Sequence, residues 1–94
     1  MSTRSPRRRV AHHEILGLHV TERTRHAAEV QRVLTEHGDI IQTRLGLHDV
    51  HGRNGSPNGL IVLHVVGRPS AVAALERDLR AIEGVDVQRM TFKH

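Results

Sequence analysis

Apolar residues recur every second position along some stretches of this chain and every third or fourth along others. In EILGLHV, residues 14–20, Leu16, Leu18 and Val20 alternate with Ile15, Gly17 and His19, the period of a strand with one face in a core. The spacing then changes. Ala27, Val30, Val33, Leu34 and His37 fall on one helical stripe, preceded by polar residues with capping side chains at 21–24 and followed by Gly38 as a stop signal. This predicts a first helix from Glu22 or Arg23 to His37.

Residues 40–48, IIQTRLGLH, alternate again, with Ile41, Thr43, Leu45 and Leu47 on one side and Ile40, Gln42, Arg44, Gly46 and His48 on the other. A Gly/Asn/Ser/Pro run at 52–59 marks a hairpin loop, and LIVLHVV at 60–66 is too short and too β-branched for a helix. Pro69 and Ser70 open a second helix carrying Val72, Leu75, Leu79 and Ile82, expected to end near Glu83 with Gly84 as its cap. VDVQRMTF at 85–92 alternates as a last strand.

The order β-α-β-β-α-β predicts an α+β, ferredoxin-like domain: a four-stranded antiparallel sheet with both helices on one face. In that layering the other face meets water. Yet the third strand sets Leu60, Val62 and Val66 against Ile61, Leu63 and Val65, so both its faces are apolar. We therefore expect Leu60, Val62, His64 and Val66 to form an interface in a homo-oligomer, a dimer or tetramer.

Composition narrows the picture. Ninety-four residues suit one domain with a core that is marginal alone. Arg4, Arg7, Arg8 and Arg9 crowd the start beside Ser2, Ser5 and Pro6, so residues 1–12 read as a disordered basic tail and 13–94 as the folded domain. Any nucleic-acid contact by that tail would be weak and non-specific. Cysteine is absent, which removes disulfides, thiolate ligands and a cysteine nucleophile. Phe92 is the one aromatic among Phe, Trp and Tyr, so base-stacking platforms are missing. No run of apolar residues is long enough to span a membrane, and a cytoplasmic location is expected.

The strand EILGLHV, the helix ending VQRVLTEHGDII, the R-L-G-L of 44–47, LIVLHVV and the closing LRAIEGVDVQRM together resemble the iron-only hydrogenase system regulator family. Those small domains are similar to the ACT domain and to the C-terminal, metal-binding domain of nickel-responsive repressors. The resemblance covers Glu14 to Phe92 and implies an ACT-like fold, self-association and a regulatory role. An ACT-type effector site would lie near Glu36 to Asp39, between subunits.

Nine histidines make metal chemistry worth weighing. Nickel-responsive repressors use a histidine before strand 2, a histidine-x-histidine pair late in that strand and a cysteine soon after. His37 falls on the first position and His48 on the second, but Val50 and Ser56 occupy the third and fourth. An imidazole site for nickel or zinc would then rest on His37 and His48, with His51 as a substitute ligand. Alternation also groups His19, His48 and His64 on the helix-free face, too far apart for one subunit to gather. The sequence carries no nucleophile motif, no P-loop and no H-E-x-x-H. The expected function is a homo-oligomeric, non-enzymatic regulatory or sensory domain binding a small effector or divalent metal at a subunit interface; the alternative is a structural protein–protein interaction module without a small ligand.

Overall fold

A computed structural model describes residues 12–21, 23–47 and 59–92. Strand β1 runs His12–Val20, helix α1 Arg23–Glu36, a 3-10 turn Gly38–Ile40, β2 Ile41–Leu47, β3 Gly59–Gly67, α2 Pro69–Arg80 and β4 Val85–Phe92. The four strands form one antiparallel sheet in the order β2-β3-β1-β4. This is the βαββαβ arrangement that the spacing predicts. No helix among the described residues is long and apolar enough to cross a membrane.

Alternation decides which side chains enter the core. Leu16, Leu18 and Val20 of β1, Leu63 and Val65 of β3 and Val87 of β4 are buried against Val30, Val33 and Leu34 of α1 and Val72, Leu75 and Leu79 of α2. Each fully buried aliphatic side chain stabilises the fold by about 1.5–3 kcal/mol before chain entropy is counted. Ala27, expected on the α1 stripe, is exposed.

Three boundaries differ from the expected ones. Helix α1 ends at Glu36, because His37 turns the backbone and Gly38–Ile40 tighten into the 3-10 turn. Ile40 is thereby a buried turn residue and not the first of the strand. Helix α2 stops at Arg80, and its carbonyls are satisfied by a turn in which the Ala81 N–H donates to Arg77 and the Ile82 N–H to Leu79. Gly84 supplies the left-handed backbone for the entry to β4, with φ at 86°. Its carbonyl accepts the Thr21 N–H at 2.7 Å, tying the end of β1 to that turn.

The largest correction concerns β2. Uninterrupted alternation puts Thr43, Leu45 and Leu47 on the face shared by Ile41, but the register shifts between Ile41 and Thr43. Ile41 stands opposite Val65 on the helix side, whereas Thr43 pairs with His64 and Leu45 with Val62 on the open side. Arg44, opposite Leu63, takes the helix side instead. A bulge inserts one residue and so exchanges the faces of everything after it.

One close approach fixes how the turn sits. A Cβ built on Gly67 would lie 2.8 Å from Ile40 Cγ2, so the 3-10 turn packs directly on the backbone at the end of β3.

Candidate functional site

The turn after α1 brings His37 against α2. Its Nε2 lies 2.8 Å from Asp78 Oδ2. An ionised carboxylate only accepts, so the imidazole Nε2–H donates. Arg77 Nε donates to the other oxygen, Oδ1, at 3.2 Å. The hydrogen bond from His37 is the main reason the Asp78 carboxyl is held below its ordinary value; burial works against it, and the hydrogen bond and charge of Arg77 lower it further, with the charge of His37 adding least.

Glu36, the last residue of α1, completes a group. One ligand atom each of Glu36, His37 and Asp78 lie within 4.8 Å of one another, with His37 and Asp78 partly buried and Glu36 exposed. Glu36 is also held by Arg32 one turn back, at 3.1 Å. One imidazole nitrogen and two carboxylate oxygens are a donor set for a borderline divalent ion such as zinc or nickel. The residues fit such an ion chemically, and binding would replace the His37–Asp78 hydrogen bond by two metal bonds.

Of the expected ligands, His37 is in this group. His48 and His51 lie outside the described residues, as does most of the Gly/Asn/Ser/Pro loop. Sequence reasoning missed Asp78, which is 41 positions from His37 and whose signal is only that it sits beside Leu79 on the flank of the α2 stripe. Glu36 was within the stretch expected to border an effector site.

The expected interface residues stand on the sheet face away from the helices. Leu60, Val62, His64 and Val66 are opposite His19, Gly17, Ile15 and His13 of β1. Every exposed large hydrophobic among the described residues is on this face too: Leu45 at 52%, Leu60 at 41%, Met90 at 59% and Phe92 at 49% exposure. Register places them there, since Leu45 pairs with Val62, Met90 with Ile15 and Phe92 with His13. His64 does not join His19, which is opposite Leu60 and Asp86 at the far end. It meets His13, with Nδ1 of His13 3.2 Å from Nε2 of His64 and the rings stacked.

A charged network lies on the helix side. Glu14 is buried at 5% exposure, and its Oε1 has no hydrogen bond among the described residues; the nearest cation among them is Arg89, with Nε at 3.8 Å. Arg89 donates to Glu76 at 3.1 Å, and Arg80 donates to the same carboxylate at 2.6 and 3.0 Å. Two carboxylates thus face two guanidiniums.

The uncharacterized protein TM1266 from Thermotoga maritima matches with a TM-score of 0.78 at 23% identity, over 88% of this chain and 99% of that one. The chain has an ACT-like, ferredoxin-like fold. A candidate glycine cleavage system transcriptional repressor matches with a TM-score of 0.62 at 16% identity, over 90% of this chain and 48% of the other. The C-terminal domain of the MgtC protein from Mycobacterium tuberculosis matches with a TM-score of 0.57 at 15% identity, over 90% and 92%. At these identities the shared property is the fold. No family model and no curated protein matches the chain.

Proposed function

We propose that this chain is a non-enzymatic regulatory domain that self-associates and senses a divalent metal ion, in keeping with the role implied by its resemblance to the hydrogenase system regulators. The observation that carries the reading is the convergence of Glu36, His37 and Asp78 at the junction of α1, the 3-10 turn and α2. Three ligand groups from two elements are held there by tertiary packing, so an ion bound to them would stiffen the contact between the helices. That coupling is what a sensor requires: the ion binds the folded arrangement and shifts its stability.

Self-association is assigned to the open sheet face, with a second copy as the occupant. The support is the clustering of Leu45, Leu60, Met90 and Phe92 there, on a domain whose core is small. The metal group belongs to the helix layer and the open face to the other side of the sheet. Sensing is thus placed within one protomer and assembly on the opposite layer, whereas an ACT-type effector would be shared between subunits.

The test is a thermal shift series with nickel and zinc on the chain and on Asp78→Asn. Metal should raise the melting temperature of the wild type, by about 2.7 kcal/mol of stabilisation at a hundredfold excess over the dissociation constant, and the variant should lose most of that rise. No shift in either protein at millimolar metal would overturn the sensor reading in favour of an interaction module without a small ligand, and equal shifts in both would mean that the ion binds elsewhere than at Glu36, His37 and Asp78.

A further inference from the structure

Two imidazoles meet on the sheet face that the helices leave uncovered. His13 Nδ1 and His64 Nε2 are 3.2 Å apart, with ring centroids 5.4 Å apart and planes 23° from parallel. Register produces the contact. His13 is opposite Val66 and His64 is opposite Ile15, so the two histidines are diagonal neighbours on one face of adjacent central strands, within reach of ring side chains. We propose that this pair is a cation site of its own, taking zinc, nickel or copper(II) through two imidazole nitrogens.

The distance is the first argument. With metal–nitrogen bonds of about 2.0–2.1 Å, two ligands in neighbouring coordination positions stand roughly 2.9 Å apart at a right angle and roughly 3.4 Å apart at the tetrahedral angle. The observed 3.2 Å falls inside that window, so the separation of the two nitrogens already suits a shared ion. Both rings hang from the two central strands of the sheet, a scaffold that holds their separation better than a loop would.

The donor chemistry is the second argument. The described strand residues beside the pair on this face are Val66, Ile15, Met90, Phe92 and Thr43, none of them a carboxylate. The acidic residue that the described strands do place on the face, Asp86, is four positions along β4 from Met90, or about 13 Å. Imidazole nitrogen donors select borderline ions over magnesium or calcium. The helix-side group, with two carboxylates, has a harder donor set, so the two sites differ in preference.

The placement of ring hydrogens permits the exchange. Before an ion binds, one ring donates N–H to the other. To bind, the donating ring carries its hydrogen on its far nitrogen, and both near nitrogens then offer lone pairs to the ion, with no net loss of a proton from neutral rings. The remaining coordination positions would be taken by water or by other donors, those of a second copy laid on this face included.

Long-range proton–nitrogen spectra of the histidine rings in the full chain, titrated with zinc, test the proposal. The ring nitrogens of His13 and His64 should shift together at one zinc concentration, in the wild type and equally in Asp78→Asn. In His64→Asn the His13 response should require roughly 10–100-fold more zinc. His13→Asn asks the converse of His64 and serves if the first variant does not fold. Rings that respond at different concentrations, or a His13 response unchanged in His64→Asn, would overturn the shared site. The Asp78 variant alone bears on the helix-side group, so the failure of either site can be told from that of the other.

Discussion

Replacing Met90 by Asp places a charge on the β4 edge of the face assigned to self-association. Met90 keeps 59% of its surface in the protomer, and Leu45, Leu60 and Phe92 keep 52%, 41% and 49%. Each of these side chains therefore leaves on the order of 100 Å² exposed, or about 400 Å² per copy, which at about 25 cal/mol per Å² is a gross gain of about 10 kcal/mol per copy if fully covered. Doubled over a two-fold pair, that gain exceeds an association cost of about 4–15 kcal/mol. Met90 alone supplies about 2.5 kcal/mol per copy, and a two-fold interface contains it twice. Losing it should weaken the dimer by about 5 kcal/mol, more than a thousandfold in dissociation constant at about 1.4 kcal/mol per factor of ten. Because the side chain is exposed in the protomer, Met90→Asp should melt like the wild type when both are dilute. Sedimentation velocity from low to high micromolar concentration provides the check. A wild type that sediments as a folded monomer throughout, or a Met90→Asp variant that assembles as well as the wild type, would refute the reasoning.

Three further outcomes are expected. Gly84→Ala forces an L side chain into φ near 86° with its Cβ 2.8 Å from His26 Nε2, and should destabilise the fold by about 1–2 kcal/mol, read as a lower melting temperature. Arg89→Ala leaves Glu14 buried without its cation and should cost about 1–2 kcal/mol, less than for a fully buried pair because Arg89 is 45% exposed; Glu14→Gln in that background should recover part of the loss in a double-mutant cycle by denaturant unfolding. For Asp78 the folded carboxyl is held below its ordinary value of 3.8, so its contribution to stability is present above that pH and is lost as pH falls through the lowered value. The gap in melting temperature between wild type and Asp78→Asn should accordingly shrink on acidification below 3.8, and a gap that widens there would contradict the assignment.

The fold was legible because its signals are local. The alternation of Leu16, Leu18 and Val20 and the three-and-four spacing of Val72, Leu75 and Leu79 each report a buried face directly. The β2 bulge was not legible, since IIQTRLGLH alternates acceptably in either frame and only pairing with β3 decides that Leu45 faces out and Arg44 faces the helices. The candidate site was half legible. His37 stood out by its place before β2, but its partner Asp78 comes from the other helix, and no spacing rule links positions that only packing joins. The His13–His64 contact depends on the register of β1 against β3, and a slip of one residue would have separated the rings.

The missing side chain at position 67 has a reach beyond its own backbone. Because Ile40 rests where a methyl group would otherwise stand, the turn bearing His37 can settle close to the sheet. A bulkier residue there would lever that turn outward like a shim under a hinge. The distance from imidazole to carboxylate, and with it the affinity for an ion, would be tuned from a position that touches neither ligand.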